Sequence, residues 1–170
     1  MLNKEVASLM NVQINRELFS AYLYLQFVNY FIDEGLDGFA NWYKVQAQEE
    51  RDHAMLFMQY MQNNGDSVTL EQIAKPESRL ESHIAVLKEG LAHEEFVTAS
   101  INEIYAAANK VHDFRSMQFL DWFIREQGEE EKNAADLIKK CELFGGDVKA
   151  LYMLNQELAA RVYTAPSLVL

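Results

Sequence analysis

Apolar residues recur every three or four positions through four long stretches of the chain, none of which contains proline. The first runs from about Lys4 to Asp33 and stops before Gly35 and Gly38; the second runs from about Gly38 to Asn64 and stops at Gly65-Asp66. The third spans about Ser82 to His112, and the fourth about Phe114 to Gly145-Gly146. Periodic runs of this length, closed by glycines, predict four long helices. A shorter fifth helix is expected over 147–162. Asp147 serves as its N-cap, with Val148, Leu151, Leu154, Leu158 and Val162 on one stripe. Residues 163–170, which include Pro166, read as a tail.

The lengths of the connections predict the topology. Those near Gly35 and His112 are only a few residues long, so each joins antiparallel neighbours. The stretch from Gly65 to Glu81 is much longer and holds Pro76. At up to ~3.3 Å per residue it can run the length of a bundle, which is roughly 40 Å for a long helix at 1.5 Å per residue. The second and third helices are then parallel. The expected fold is all-α: an antiparallel four-helix bundle over 4–145 with a long crossover between helices 2 and 3, plus the short fifth helix. The whole of 1–170 is expected to form a single domain.

Each long helix carries a seam at 3–4 spacing. The seams include Met10, Ile14, Glu17, Ala21 and Tyr24 in the first helix, and Tyr43, Gln46, Glu50, His53 and Phe57 in the second. They include Leu87, Leu91, Glu94, Thr98 and Ile101 in the third, and Phe123, Gln127, Glu130, Ala134, Leu137, Cys141 and Phe144 in the fourth. Every seam is mostly apolar, and every one is interrupted near its middle by a glutamate. At mid-height the direction of a helix does not matter, so Glu17, Glu50, Glu94 and Glu130 are expected at one level. His53 lies one turn beyond Glu50 on the same face. Any one of these glutamates alone reads as an ordinary solvated residue or half of an ion pair. Four at one level with no Lys or Arg in the seams carry a large desolvation cost. Two divalent cations balance them, and oxygen ligands with one imidazole suit iron or manganese better than zinc.

Composition narrows the remaining choices. The net charge is −11, so attraction to nucleic acid or anionic lipid is not expected, and the one adjacent basic pair is Lys139–Lys140. A single cysteine, Cys141, excludes a disulfide framework within the chain and fits a reducing compartment. With 7 Gly and 2 Pro the chain is too poor in turn residues for a β-sandwich. The start of the sequence lacks the apolar core of a signal segment, and the stretch Phe19 to Ile32 is broken by Ser20, Gln26 and Asn29. A cytoplasmic protein with no membrane partner is expected.

With these residues in view, the sequence resembles the bacterial non-haem ferritins over about Met1 to Val162. The resemblance rests on Asn15-Arg16-Glu17 with Tyr24, on Gln48-Glu49-Glu50-Arg51-Asp52-His53, on His93-Glu94, and on Glu126-Gln127 followed by Glu129-Glu130-Glu131. It implies that Glu17, Glu50 and His53 hold a first iron and that Glu50 bridges to a second held by Glu94 and Glu130, with Gln127 close by. It implies a third iron site from Glu49, Glu126 and Glu129 with Glu130, and an electron-donating role for Tyr24. It further implies that Fe(II) is oxidised by dioxygen or peroxide and stored as a ferric mineral inside a homo-oligomeric cage of 24 subunits.

The sequence also departs from relatives of that family. The fourth helix reads Glu130-Glu131-Lys132-Asn133 and so lacks a second Glu-x-x-His. Arg51 stands where bacterioferritin carries its haem-ligating methionine, so no haem is expected. Met117 and Leu120 align with channel-lining carboxylates of animal ferritins. His83, His93 and His112 read as surface residues rather than ligands. Three other readings remain open at this level: a peroxide-reducing rubrerythrin-like protein, a storage subunit without useful ferroxidase activity, and a metal-free structural bundle. The first needs an electron-donor centre that Cys141 alone does not supply.

Overall fold

The computed structural model describes residues 1–77, 80–144 and 146–170. Gly145 of the expected helix break therefore lies outside the described residues. Among the described residues five helices follow one another: α1 (Lys4–Asp33), α2 (Asp37–Asn63), α3 (His83–Lys110), α4 (Phe114–Phe144) and α5 (Val148–Ala159). Among the described residues there is no strand. The ends of the helices have local causes. The Asn3 side chain accepts from the Glu5 amide, Ser82 from Ala85, and Asp147 from Lys149 and Ala150, each satisfying N–H groups that have no partner within the helix. Gly35 and Gly65 adopt φ of +73° and +79°, the left-handed conformation that turns the chain after α1 and α2.

The start of α2 has no cap of its own. Asn155 of α5 supplies one from far along the chain, its Oδ1 accepting from the Gly38 amide at 2.8 Å and the Phe39 amide at 3.2 Å. The approach is so close that a Cβ on Gly38 would lie 1.7 Å from the Asn155 carbonyl oxygen. Asn155 is buried for this reason.

The crossover lies along α1. Asp66 accepts from the Leu2 amide, Thr69 exchanges two hydrogen bonds with the Asn11 side chain, and Asn15 donates to the carbonyls of Glu71 and Gln72. The chain thus travels from the N-terminal end of α1 towards its C-terminal end before α3 begins, which makes α2 and α3 parallel as expected. Helices α1 and α2 form one packed pair, α3 and α4 the other, and α5 packs on α2 and α4.

The core has two apolar bodies. One holds Tyr24, Phe27, Phe31, Phe39, Tyr43, Leu87 and Leu137, with Leu154 and Leu158 of α5. The other holds Met10, Ile14, Phe57, Ile101, Phe119 and Phe123. Two seam expectations fail at the helix ends. Phe144 is exposed, and α5 is shorter than 147–162, with Val148 and Val162 both exposed. The reason for the shorter α5 is tertiary: the Asn41 side chain donates to the carbonyls of Leu158, Ala159 and Arg161 and ends the helix there.

Candidate metal centre

Between the two apolar bodies the seam glutamates meet. Glu17, Glu50, Glu94 and Glu130 are 0%, 1%, 2% and 5% exposed, and His53 is 1% exposed. Glu17 comes from α1, Glu50 and His53 from α2, Glu94 from α3 and Glu130 from α4. Glu17, Glu50 and His53 each present a ligand atom, and all three atoms lie within 4.8 Å of one another. His53 Nδ1 is 3.5 Å from Glu50 Oε2. The spacing of three between Glu50 and His53 stacks them on one face of α2, as helix geometry requires.

The two ends of this layer differ in their hydrogen bonds. At the Glu17 end, both oxygens of Glu50, Glu17 Oε2 and His53 Nδ1 are buried and take no hydrogen bond from outside the trio; a proton shared between the Glu17 and Glu50 carboxyls is the one bond open to them. Only Glu17 Oε1 is met, by Gln13 Nε2 at 2.9 Å. At the other end, Tyr24 donates its hydroxyl proton to Glu94, and Gln127 Nε2 donates to Glu94 Oε2 at 3.2 Å. Gln46 Nε2 reaches Glu130 Oε2 at 2.7 Å. A cavity of about 20 Å³, lined by Tyr24, Tyr43, Gln46, Glu94 and Glu130 among others, lies at this end.

Burial raises the carboxyl pKa values. It drives Glu17 well above the usual carboxylate range, with the Glu50 charge adding to it. It does the same to Glu50, with Glu94 and Glu130 pressing further. Glu94 rises to about 8 through burial and the Glu130 charge, against the pull of its hydrogen bonds from Tyr24 and Gln127. The Tyr24 phenol is also pushed well up, first by burial and then by Glu94. Among the described residues no Lys or Arg forms an ion pair with any of the four glutamates. Carboxylate oxygens and an imidazole nitrogen that lack outside donors and converge on one point form a donor set for a divalent cation.

Glu49, Glu126 and Glu129 lie outside this layer. Glu49 and Glu126 are half-buried and Glu129 is exposed. Burial pushes Glu49 up to about 7, against the pull of Arg161, and the charges of Glu130 and Glu126 act on it as well. Burial also raises Glu126, and Glu130 and Glu129 add to the shift. The Arg161 guanidinium lies 2.7 Å from Glu49 Oε2.

His93 differs from the sequence expectation. It is only partly exposed, with Nε2 2.8 Å from Ser20 Oγ and its ring against Phe19, Tyr24 and Phe96. Burial pushes the imidazole down to about 4. One position before Glu94, it falls on the flank of α3 that meets α1, which the seam pattern does not register. His83 pairs with Glu34 at 3.1 Å and His112 is exposed, so neither joins the layer. Sequence reasoning assigned no role to Gln13, Gln46 or Arg161. Gln13 precedes Glu17, which it serves, by four residues, a helical spacing that was available as a signal, whereas Gln46 serves Glu130 on another helix and offered none. Arg161 offered none.

A family model described as a ferritin-like domain matches residues 7–144. A bacterial non-heme ferritin of Staphylococcus epidermidis is 36% identical over 163 residues, covering 96% of this chain and 98% of that protein. One from Campylobacter jejuni is 34% identical over 156 residues, covering 92% and 93%. Among solved structures, an engineered closed form of the Archaeoglobus fulgidus ferritin superposes with a TM-score of 0.94 at 39% identity, covering 96% of this chain and all (100%) of that one.

Proposed function

Because the chain belongs to the ferritin-like domain family, we propose that it stores iron and that its buried carboxylate layer is a ferroxidase site. The observation that carries this reading is the convergence of Glu17, Glu50 and His53 with four of their ligand atoms buried and given no donor from outside the trio. Fe(II) is the substrate. One ion sits between Glu17, Glu50 and His53, and a second between Glu94 and Glu130, with Glu50 bridging. Arrival of the cations ionises carboxyls that burial otherwise keeps protonated, and the protons leave with binding. Each Fe(II) gives up one electron, and dioxygen or peroxide accepts the pair.

The surrounding residues position the carboxylates and exclude water. Gln13 fixes one oxygen of Glu17, Gln46 one of Glu130, and Gln127 one of Glu94. Tyr24, in hydrogen-bond contact with Glu94, is placed to supply a further electron. Glu49, Glu126 and Glu129 with Glu130 form a third iron site beside the pair. Ferric product passes to a mineral core inside a homo-oligomeric cage of 24 subunits in the cytoplasm. Among the described residues no helix is long and apolar enough to cross a membrane.

The direct test is an anaerobic load of Fe(II) followed by a pulse of oxygen, in the wild type and in Glu50→Ala. The variant removes the bridge from both irons, so rapid oxidation is lost while assembly is retained. An unchanged initial rate in Glu50→Ala overturns the assignment. The haem expectation has its own readout. Arg51 is exposed and contacts Asp52 at 3.4 Å, and a guanidinium has no lone pair to offer iron. Protein purified after growth with haem precursor therefore shows no Soret band; a stoichiometric haem signal refutes this.

A further inference from the structure

The segment that follows α5 does not hang free. It runs back over the face formed by α2 and α4. Arg161 lies flat over the Trp42 ring, 4.0 Å from its centroid, and its Nη1 donates to the Trp42 carbonyl at 3.3 Å. Its own carbonyl accepts from Asn41 Nδ2 at 2.9 Å. Further along, Tyr163 donates to Asp52, Ser167 Oγ accepts from Trp122 Nε1 at 3.1 Å, and Leu168 packs against the apolar body that holds Met10 and Phe57. Held at these points, the segment aims Arg161 Nη2 at Glu49 Oε2, 2.7 Å away, with both side chains less than a fifth exposed. Among the described residues no other Lys or Arg pairs with Glu49.

We propose that Arg161 is a built-in counter-cation for Glu49, which a metal ion must displace to occupy the third site. The inference rests on the reading of Glu49, Glu126 and Glu129 as that site. The guanidinium charge on Glu49 Oε2 repels a cation that approaches the same half-buried carboxylate and so weakens its binding. The segment after α5 therefore sets how readily the third position fills, and filling it releases Arg161 from Trp42. In this role Arg161 is a positioning residue acting through Glu49. The dinuclear pair, whose ligands it does not contact, is left alone. The layer between the helices thus fills first, and the third site fills only once cation concentration suffices to unseat the guanidinium.

Calorimetric titration of the assembled protein with Zn(II), which is redox-silent, separates the equivalents. In Arg161→Gln the third equivalent binds roughly tenfold more tightly, about 1.4 kcal/mol, while the first two keep their affinities. Arg161→Lys retains the charge and restores weak third-site binding. Trp42 supplies a readout that a structural role would not move. In the wild type its fluorescence changes as the third equivalent binds, and in Arg161→Gln that step is silent because the guanidinium is already gone. Equal third-site affinity in wild type and Arg161→Gln overturns the displacement proposal while leaving the third site standing. If the third equivalent survives Glu49→Gln combined with Glu126→Gln, the reading of the site itself is wrong, and the proposal falls with it.

Discussion

The two ends of the carboxylate layer solve the same electrostatic problem in opposite ways. Around Glu94 and Glu130 the protein supplies neutral donors: the Tyr24 hydroxyl and the Gln127 and Gln46 amides. Around Glu17, Glu50 and His53 it supplies only Gln13, and four ligand atoms are buried with no donor from outside the trio. An unsatisfied buried polar atom costs about 1–3 kcal/mol, more when charged. The Glu17 end is therefore destabilised until a cation arrives, and binding there breaks only the fewest protein hydrogen bonds. The Glu94 end is comfortable without metal, so a cation there must compete with donors already in place. On the proposed reading of two cation positions, the difference predicts an order: the Glu17 end binds first and more tightly.

The strongest way to break that comparison is to remove a ligand from the Glu17 end and a hydrogen-bond donor from the other. His53→Ala weakens the first Zn(II) equivalent by more than about 100-fold, beyond the 10–100-fold typical of losing an outer partner. Gln127→Leu leaves that equivalent unchanged and alters only the second. Calorimetry checks both, and loss of the same equivalent in the two variants would erase the distinction.

A second, smaller effect concerns pH. Glu94 has a folded pKa of about 8 against an ordinary 4.5, and Glu49 one of about 7. Because these values are raised, the folded metal-free protein holds protons that the unfolded chain has released. Their contribution to stability is fully present below about 4.5 and is lost as pH rises through 7 and 8. Metal-bound carboxylates are ionised in the folded state, so with Zn(II) the sign reverses and stability falls on acidification. Thermal unfolding across this range, with and without Zn(II), tests the reversal. Glu94→Gln flattens part of the metal-free slope. A metal-free stability that instead climbs from pH 5 to 8 contradicts the raised values.

The smallest effect sharpens the comparison at the satisfied end. Tyr24→Phe keeps the aromatic packing with Phe27 and Tyr43 but removes the donor to Glu94. The metal-free protein loses about 1–2 kcal/mol in urea unfolding, and the Zn(II)-loaded protein much less, because the cation then satisfies Glu94. Equal losses in both forms make Tyr24 a packing residue only.

Much of the layer was legible before any coordinates. Helical periodicity is a local property, and a glutamate at mid-seam in each of four helices converges whichever way each helix runs. Glu17, Glu50, Glu94 and Glu130, with His53 one turn from Glu50, are expected there from spacing alone and all are buried; Gln127, also buried, joined them only through the family resemblance. His93 was misjudged because burial on a flank depends on which neighbour the helix meets, not on its seam. The donor pattern was hidden too. Gln46 sits on α2 but serves Glu130 on α4, and no spacing within α2 reveals that.

The chain alone thus determined the helices, the short and long connections, and the level at which the glutamates meet, since each follows from spacing, glycine placement and connection length. Gln13 on Glu17 apart, only the tertiary structure decided which carboxylate oxygens have partners, because the other donors arrive from other helices. It alone placed Asn155 on the amides of Gly38 and Phe39, across a sequence separation of 117 and 116 residues. It alone stopped α5 at Ala159 and laid Arg161 against Glu49, 112 residues apart in sequence. Contacts between positions so far apart are set by how packed elements leave room for one another, and periodicity within any one of them carries no record of it.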